Sequence, residues 1–476
     1  MELSDFSNVQ TIHMVGIKGI AMAAFALWAI ESGRTVTGSD VDEHFPSDDI
    51  LKQKGISIYS GFAASHIHTN DMPDLVVYTG AHKGLDNVEV ATAIELGIPV
   101  LPHGKALGIA MNGMSQISVA GSHGKTTTSA MIATVLMHAG MDPSYAIGSG
   151  VIKGLGNPGH HGSGGIFVAE ADEYITDPQH DKTPRFLWQH PETLVVTNID
   201  FDHPDAYEDL SAVQSAFLAL QRNLVGKKVL ILNSDNPASD VLKTAGGANK
   251  IISYGTGEGA TYKIKNTVSG NGTTTFSLYT GSVELGSVCL HIPGNHNVEN
   301  AAAAAVACLQ YGVSWEKIAE GLSLFGGAKR RFDLLSSHNG ILYYDDYAHH
   351  PKELASTLQA ARSWFPKNRI IAVFQPHTYS RTKALFVEFS RAFYAADIVL
   401  LADIYASARE GFSGDISGKL VYEKLRWEHG SVYFTPGKSE IIEKLRSIKK
   451  AGDVIIFMGA GDIYSWEQDI IQGLTI

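Results

Sequence analysis

The chain is short of cysteine, of basic residues and of long apolar runs, and each shortage excludes a class of protein. Its two cysteines, Cys289 and Cys308, are too few for a disulfide framework or a cysteine zinc site, so we expect both to be ordinary buried thiols. The 37 Lys and Arg residues are outnumbered by 49 Asp and Glu residues, and the resulting net charge of -12 disfavours a broad nucleic-acid surface. No apolar run reaches the ~18 residues of a membrane span, and the polar first residues do not form a signal peptide. We therefore expect a cytoplasmic protein with no membrane span.

The length and the pattern along the chain predict three α/β domains. At about 100 to 200 residues per domain, 476 residues need more than one core. Three segments each restart with an apolar strand, a glycine loop and a helix, which predicts domains at 1–113, 114–324 and 325–476. The first and third should be Rossmann-like parallel sheets. The second should resemble a P-loop ATPase, with antiparallel hairpins added near residues 251–292.

Two features of the predicted central domain are less regular. The glycine-rich tract of residues 148–165 has the composition of a mobile surface loop. An alanine-rich helix is expected from about Val298 to Leu309, and it should close the domain.

The strongest chemical signal is the loop Gly121-Ser122-His123-Gly124-Lys125-Thr126, which leaves a strand and opens a helix. Backbone N–H groups and a helix N-terminus are arranged there to bind phosphate, with Lys125 adding charge and Thr126 a hydroxyl for Mg²⁺. The full Walker A pattern also requires a glycine where Val119 stands, so only its compact form is present. If the glycines served only a tight turn, Lys125 would be left without a partner. We therefore predict a nucleotide-phosphate site.

Acidic groups follow the next two strands of the same segment. Glu170-Ala-Asp-Glu173 and Asn198-Ile-Asp-Phe-Asp202-His203 both come at strand ends, where they can meet the phosphate loop at one edge of the sheet. Carboxylates there suit Mg²⁺, and His203 is a candidate for a second cation or for a phosphate. A solvated acidic turn and a structural histidine are the alternatives.

Further polar groups occur at helix starts and strand ends. The side chains of His296 and Asn300, four residues apart on one helix face, could meet a purine. In the third segment, acidic, basic and imidazole groups follow strands at 329–331, 345–350 and 375–381. A zinc site of His349, His350 and His377 is the competing interpretation, but adjacent histidines do not converge easily on one ion.

The first segment carries a weak dinucleotide fingerprint. Gly16 and Gly19 are followed by Asp40, an acid at the distance that holds a ribose in such folds. Lys18 replaces the middle glycine, which argues against an NAD-dependent dehydrogenase. Uridine diphosphate binding needs only the loop amides, Lys18 and the acid.

Taken together, these motifs resemble those of the Mur ligase family over nearly the whole chain. The matching segments are 13–19, 38–40, 121–127, 170–173, 198–204, 296–297, 329–332, 345–351, 374–377 and 459–462. The resemblance implies an ADP-forming ligase that uses ATP and Mg²⁺ to convert a carboxylate into an acyl phosphate, which an amine then attacks. The motifs are most similar to those of members that join L-alanine to UDP-N-acetylmuramate in peptidoglycan precursor synthesis. We expect a monomer or a homodimer.

The same resemblance assigns roles to individual residues. It implies uridine-nucleotide binding by Gly16, Lys18, Gly19, Ser39 and Asp40. It implies ATP binding by Gly121, Ser122, His123, Gly124, Lys125, Thr126, Thr127, His296, Asn297, Asn300, Arg331 and Asp346. It implies metal binding by Thr126, Glu170 and His203, and it implies catalytic roles for Lys125, Glu170, His203, Arg331, His349, His350 and Arg381. His349 or His350 is a candidate base for the amine.

Several alternatives stay open at this stage. A recycling ligase would join the same UDP-sugar acid to the tripeptide L-Ala-γ-D-Glu-meso-diaminopimelate. The motifs within residues 170–186 favour this alternative. Thr378 stands where some alanine-adding members have Arg, so recognition of the amino-acid carboxylate by two arginines is not assured. Because no lysine lies between His203 and Val225, we predict no carbamylated lysine. A nucleotide-gated scaffold is the alternative outside the enzymes.

Overall fold

The structure is a computed structural model that describes residues 3–43, 45–68, 71–270, 272–406 and 415–475. The outermost residues of the predicted domains, 1, 2 and 476, lie outside this set. Three separate large sheets confirm the prediction of a three-domain α/β protein.

The N-terminal domain is built on a five-stranded parallel sheet in the order β3-β2-β1-β4-β5. Its elements are β1 (Thr11–Val15), α1 (Ile20–Glu31), β2 (Thr35–Asp40), α2 (Asp48–Gln53), β3 (Ser57–Ser60), β4 (Leu75–Tyr78), α3 (Val88–Glu95), β5 (Val100–Pro102) and α4 (His103–Ala110). The strands are short apolar runs, as expected for a parallel sheet that is covered on both faces.

Helix α1 is buried on every side, because residues 22–29 all lie within the core. A helix that is apolar all round must pack between two layers. Here the second layer belongs to the central domain: the ring of Trp28 lies 6.0 Å from that of Phe167. The two domains therefore share one apolar cluster.

The central domain carries a ten-stranded sheet in the order β17-β16-β15-β14-β13-β12-β6-β9-β7-β8, with β10 and β11 as a separate hairpin. Its strands are β6 (Ser115–Ala120), β7 (Ser144–Ala146), β8 (Gly159–His160), β9 (Ile166–Ala171), β10 (Ile175–Asp177), β11 (Asp181–Pro184), β12 (Thr193–Val196), β13 (Val229–Asn233), β14 (Lys250–Gly255), β15 (Tyr262–Gly270), β16 (Thr273–Thr280) and β17 (Val283–Leu290). Its helices are α5 (Lys125–His138), α6 (Leu210–Arg222), α7 (Val241–Thr244), α8 (Asn295–Leu309) and α9 (Trp315–Leu324).

The predicted antiparallel addition is present, with one correction. Strands β15, β16 and β17 pair antiparallel, but β14 pairs parallel with β13 and with β15. The antiparallel part therefore begins with the pairing of β15 and β16. The predicted alanine-rich helix is α8, which packs on α5.

The glycine-rich tract at 148–165 differs from the mobile surface loop that its composition predicts. Its second half forms β8 and packs against α1, so closely that a Cβ on Gly159 would lie 1.9 Å from the carbonyl oxygen of Ala24. His160 contacts Glu31 of the N-terminal domain at 2.6 Å and Asp142 of the central domain at 2.9 Å. Glycine is used here for close approach of two backbones rather than for mobility.

The C-terminal domain has a six-stranded sheet in the order β18-β19-β23-β20-β21-β22, parallel except for β18 at the edge. Its elements are β18 (Asp333–His338), β19 (Ile341–Asp346), α10 (Pro351–Trp364), β20 (Ile370–Phe374), α11 (Tyr379–Ala384), α12 (Phe386–Arg391), β21 (Ile398–Leu401), α13 (Gly418–Glu428), β22 (Val432–Phe434), α14 (Lys438–Ile448), β23 (Val454–Met458) and α15 (Ile463–Thr475). Within the described residues no helix is long and apolar enough to cross a membrane. Cys308 is buried as predicted, whereas Cys289 is partly exposed.

Candidate active site

The phosphate loop, residues 121–126, connects β6 to the first turn of α5 as the sequence predicts. Gly121 and Gly124 have φ angles of 142° and 86°, in the region that favours glycine. A Cβ on Gly124 would also lie 2.5 Å from Oδ1 of Asn300, so only glycine lets α8 approach the loop. The unpaired N–H groups at the start of α5 form a site suited to an anion.

Lys125 is not left without a partner, which corrects one step of the sequence argument. Its Nζ lies 2.7 Å from Oε2 of Glu173 and 2.6 Å from the carbonyl oxygen of Gly121. Burial acts to lower the pKa of Lys125, but the charges of Glu173 and Asp172 outweigh it and raise the pKa. The ammonium group therefore keeps its charge next to the phosphate loop. Its counter-ion is Glu173, which the sequence suggested only as one of the carboxylates near Mg²⁺.

The three predicted metal ligands, Thr126, Glu170 and His203, line the same cavity, but they are not all in contact with one another. The Thr126 hydroxyl donates a hydrogen bond to Glu170, which also accepts one from the N–H of Gly148 at 2.8 Å. Burial raises the pKa of Glu170. Nε2 of His203 contacts Glu173 at 3.7 Å and Asp202 at 3.8 Å. The hydroxyl and carboxylate oxygens of Thr126 and Glu170 match the ligand preference of Mg²⁺.

Two cavities meet at the phosphate loop. The larger, which we call the three-domain cavity, has a volume of 450 Å³ and is bounded by residues from all three domains. Its wall includes Gly19, Lys125, Thr126, Glu170, His203, Arg331, His349 and Arg381. The second, the two-domain cavity, has a volume of 410 Å³ and lies between the central and C-terminal domains. Its wall includes Gly124, Thr126, Thr127, His296, Asn297, Asn300, Arg331 and Asp346. Thr126, Arg331 and Glu353 belong to both walls.

Of the five residues predicted to bind the uridine nucleotide, only Gly19 lines the three-domain cavity. The buried carboxylate of Asp40 accepts hydrogen bonds from the N–H groups of Lys18 and Val41, both at 2.8 Å. Nζ of Lys18 donates to the carbonyl oxygens of Val41 at 3.0 Å and Glu43 at 2.8 Å. Asp40 and Lys18 thus tie together the loops that follow β1 and β2.

Gly16 and Ser39 complete that pair of loops. The N–H of Gly16 donates to the carbonyl oxygen of Ser39 at 2.8 Å, and the buried Ser39 hydroxyl donates to Glu89. Glu89 also contacts His13 and His66. Burial acts to raise the pKa of Glu89, but the hydrogen bonds from His13 and Ser39 outweigh it and lower the pKa. These contacts fix the loop conformation from within the domain.

The motif predicted to lie on the adenine side is largely occupied by internal hydrogen bonds. Nδ2 of Asn297 donates to the carbonyl oxygen of Pro293 at 2.7 Å, and Nδ2 of Asn300 donates to Oδ1 of Asn297 at 3.2 Å. Oδ1 of Asn300 accepts from the Thr128 hydroxyl at 3.2 Å. Burial lowers the pKa of His296 to about 4, so its ring is neutral at pH 7. The two asparagines therefore shape the start of α8 and its contact with the phosphate loop.

In the C-terminal domain, Asp346 supports the segment that carries Arg331. Its carboxylate accepts hydrogen bonds from the N–H groups of Phe332 and Ala348, both at 2.8 Å. Burial raises the pKa of Asp346 to about 6, and Arg331 opposes that shift. Nη1 of Arg331 lies 3.9 Å from Oε1 of Glu353, so its guanidinium stays at the boundary between the two cavities.

The structure distinguishes His349 from His350. His349 lines the three-domain cavity, and burial together with Arg381 lowers its pKa to about 4. His350 instead caps α10, because its Nδ1 accepts the N–H of Lys352 at 3.3 Å. Arg381 is buried and donates to Oδ1 of Asp202 from Nε at 3.2 Å and from Nη2 at 3.1 Å. This arginine already has a carboxylate partner within the protein.

His123 has a contact that its sequence motif does not reveal. Its Nδ1 lies 3.2 Å from Oε1 of Glu353 on α10, and its Nε2 lies 3.6 Å from Oδ2 of Asp200. Burial opposes a charge on the ring, but the nearby carboxylates of Asp200 and Glu353 raise the pKa of His123 to about 9. Nζ of Lys352 also contacts Asp200, at 2.5 Å. The phosphate loop is therefore ion-paired to the C-terminal domain.

The structure does not support the alternative zinc site of His349, His350 and His377. The rings of His349 and His377 are edge-on with centroids 6.1 Å apart, and His350 caps α10 instead of joining them. Within the described ranges, the residues close enough to share an ion are His123, Asp200 and His350. Because Nδ1 of His350 accepts a backbone N–H, its Nε2 carries the proton and has no lone pair for a metal.

With this geometry established, comparison with known proteins identifies the class. The descriptions "Mur ligase family, catalytic domain", "Mur ligase middle domain" and "Mur ligase, glutamate ligase domain" match residues 11–114, 119–308 and 330–461. The chain belongs to the Mur ligase family.

Individual relatives match over almost the full length. The chain is 39% identical to the UDP-N-acetylmuramate–L-alanine ligase of Desulfitobacterium hafniense, over 97% of this chain and 99% of the relative. It is 28% identical to the solved UDP-N-acetylmuramate-alanine ligase of Thermotoga maritima, with a TM-score of 0.79 over 97% and 98% of the two chains. It is 26% identical to the solved murein peptide ligase of Psychrobacter arcticus, with a TM-score of 0.73 over 98% of each chain.

Proposed function

We propose that the protein is an ATP-dependent ligase that joins L-alanine to the lactyl carboxylate of UDP-N-acetylmuramate, forming ADP and phosphate. The observation that carries the proposal is the meeting of two cavities at Thr126 and Arg331. A nucleotide in the two-domain cavity would present its terminal phosphate at this shared wall. A carboxylate in the three-domain cavity would meet it from the other side.

ATP fits the two-domain cavity by volume, and cationic groups lie where its phosphates would be. Its volume of 410 Å³ lies in the range of about 300–1,000 Å³ typical of small-molecule sites. The N-terminus of α5 would hold the phosphates. Lys125 would then pair with a phosphate group in place of Glu173. Arg331, whose side chain is only about one-third exposed, would balance charge on the transferring phosphoryl group.

The oxygen donors of Thr126 and Glu170 fit Mg²⁺, and we include this ion in the proposal, with His203 beside it. When bound, Mg²⁺ would neutralise phosphate charge, as it does in other phosphoryl-transfer enzymes. The carboxylates of Glu173 and Asp202 lie within 4 Å of the His203 ring, at 3.7 and 3.8 Å from its Nε2.

The reaction would proceed in two transfers within the three-domain cavity. A carboxylate oxygen of the sugar acid attacks the γ-phosphorus, ADP leaves, and an acyl phosphate forms. The uncharged amine of alanine then attacks the acyl carbon and phosphate leaves, which forms the amide. Holding the reactants in the correct geometry accounts for much of the rate enhancement in such steps.

His349 is the better candidate of the two histidines to accept the amine proton, because it faces this cavity and is uncharged at pH 7. We assign the uridine nucleotide to the N-terminal loops of Gly16, Lys18, Gly19, Ser39 and Asp40, next to the mouth of the cavity at Gly19. Because ATP is the phosphoryl donor, we place the reaction in the cytoplasm. A monomer or a homodimer remains the expectation.

L-alanine is favoured over the tripeptide as the amine. The relatives at 35–39% identity over nearly the full chain bear the alanine-ligase name, and the solved alanine ligase has a higher TM-score than the murein peptide ligase. The recycling reaction is the second candidate, because the murein peptide ligase also covers 98% of the chain.

The test is release of phosphate from ATP with Mg²⁺ and UDP-N-acetylmuramate, comparing L-alanine, glycine, L-serine and the tripeptide as amines. Strong stimulation by L-alanine is the expected result. Stimulation by the tripeptide alone would replace the proposal with the recycling reaction. No stimulation by any amine would contradict a ligase.

A further inference from the structure

Glu299 places a carboxylate in the wall of the two-domain cavity at the end away from the C-terminal domain. It lies on the first turns of α8, three residues after His296 and next to Asn300, so these side chains share one side of the helix. Asn300 contacts the phosphate loop at Gly124, whereas Glu299 contacts Asn233 at the end of β13. The acid therefore faces away from the phosphate end of the cavity.

The position of β13 sets the distance from the phosphates. Strand β12 lies between β13 and β6, the strand that leads into the phosphate loop. Two interstrand spacings amount to roughly 10 Å, which is about the reach of a ribose and a purine from the phosphates. A carboxylate at this distance can meet the base without facing the triphosphate.

The hydrogen bonds around Glu299 leave one of its oxygens available. Oε2 accepts a hydrogen bond from Nδ2 of Asn233 at 3.0 Å, and within the part of the chain that the structure describes Oε1 has no hydrogen-bond donor. The Asn233 amide is fixed in turn, because its Oδ1 accepts the N–H of Asp235 at 2.9 Å. The Glu299 carboxylate is thus oriented by a buried, fixed donor and presents a free acceptor oxygen.

Three neighbouring amides of the cavity wall already accept hydrogen bonds within the protein. Oδ1 of Asn236 accepts the N–H of Ile199 at 3.0 Å, and the amide oxygens of Asn297 and Asn300 accept hydrogen bonds at 3.2 Å. Glu299 is the only carboxylate among these groups, and a carboxylate is a stronger acceptor than an amide oxygen. Burial raises the pKa of Glu299, and the hydrogen bond from Asn233 opposes that shift.

We propose that Glu299 selects the base of the nucleotide by accepting a hydrogen bond from the 6-amino group of adenine. Guanine carries a carbonyl oxygen at the same position, and two acceptors facing each other repel. The proposal rests on the binding of ATP in the two-domain cavity. It adds Glu299 to the residues of α8 that line the nucleotide cavity.

The test measures kcat/KM in amine-dependent phosphate release for ATP, GTP and purine riboside 5′-triphosphate, which lacks the 6-amino group. A hydrogen bond to a charged acceptor is worth roughly tenfold to a hundredfold in such a ratio. The wild-type protein should prefer ATP over purine riboside triphosphate by that factor. In Glu299→Leu the preference should fall to within about threefold, because both nucleotides then meet the same apolar side chain.

Glu299→Gln keeps an acceptor for Asn233 and adds an NH₂ group that can donate to O6 of guanine. The ratio of GTP to ATP use should therefore rise in this variant. Glu316→Gln, an exposed acid on α9 that lines neither cavity, should leave both ratios unchanged. Comparing two nucleotides within one variant cancels any loss of folded protein.

Each outcome decides the proposal. Equal use of ATP and purine riboside triphosphate by the wild-type protein, or the same preference in Glu299→Leu, would overturn the role of Glu299 while leaving the ligase intact. Absence of amine-dependent phosphate release from ATP in the wild-type protein would overturn the proposed function and this inference with it.

Discussion

Nζ of Lys125 lies 2.7 Å from Oε2 of Glu173, and both side chains are largely buried. The lysine of the phosphate loop is thus held by an internal counter-ion from the strand end next to it. An incoming triphosphate would have to take the place of this carboxylate. The ion pair with Glu173 therefore competes with the binding of the triphosphate to Lys125.

Replacing Lys125 by Ala should reduce ATP turnover to background and leave UDP-N-acetylmuramate binding within about threefold of wild type. The reason is that Lys125 serves the phosphates, whereas we assign the uridine nucleotide to the N-terminal loops. Phosphate release and calorimetric titration with the UDP-sugar would measure the two effects. Lys317→Ala, at an exposed pair on α9, is the matched control. Loss of both activities together would contradict this division.

The same pair predicts an effect on stability. Removing one partner of a buried ion pair costs roughly 3–5 kcal/mol, whereas removing both charges costs much less. Lys125→Met should therefore lower the unfolding midpoint strongly, and the double variant with Glu173→Gln should recover most of the loss. Thermal or urea unfolding of the two single variants and the double variant would show this. Additive losses would mean that the two side chains do not interact in solution.

His123 predicts how stability depends on pH. Its folded pKa of about 9 lies above the ordinary histidine value of about 6.5, so its charge stabilises the folded protein fully below pH 6.5. That contribution should be lost as the pH rises through 9. The gap in stability between wild type and His123→Gln should be on the order of 3 kcal/mol at pH 6 and close to zero at pH 10.

Urea unfolding at several pH values measures this gap. His138→Gln is the control, since its partner Glu320 is exposed and the pair should contribute little at any pH. A gap for His123→Gln that grows with pH would show that the ring is not held as a cation between Asp200 and Glu353.

Gly159→Ala should loosen the contact between the N-terminal and central domains. The added Cβ would lie 1.9 Å from the backbone oxygen of Ala24, which cannot move without shifting α1. We expect a loss of about 1–3 kcal/mol and faster amide hydrogen exchange in α1 and β8. Gly430→Ala, where no atom lies within 4 Å of the added Cβ, should be close to neutral. Equal exchange in the two variants would contradict the tight packing of β8 on α1.

The two cysteines should react very differently with a thiol reagent in the native protein. Cys308 is fully buried and burial raises the pKa of its thiol, whereas Cys289 is partly exposed. One thiol should therefore be labelled quickly and the second only on unfolding. Cys289→Ser should remove the fast reaction, and persistence of fast labelling in that variant would place Cys308 at the surface.

Much of the fold can be predicted from local sequence, because the patterns that specify strands, turns and helices span only a few consecutive residues. The run Thr11–Val15 is a strand as predicted, and Gly121 to Thr126 form the predicted turn into a helix. Such elements depend on apolar spacing and on glycine at positive φ, both of which can be recognised in a few consecutive residues. The three-domain α/β organisation and the family follow from the order of these elements.

The tertiary structure alone decided which polar groups are free. His123 and Glu353, separated by 230 positions, meet only because the central and C-terminal domains pack together. The packing also gives Lys125 its partner Glu173 and pins residues 159–160 between two domains. A side chain's hydrogen-bond partners depend on every element packed against it, and sequence spacing carries no information on contacts of that range. The sequence by itself therefore determined the elements and the chemistry available, and the packing determined which side chains are left to perform it.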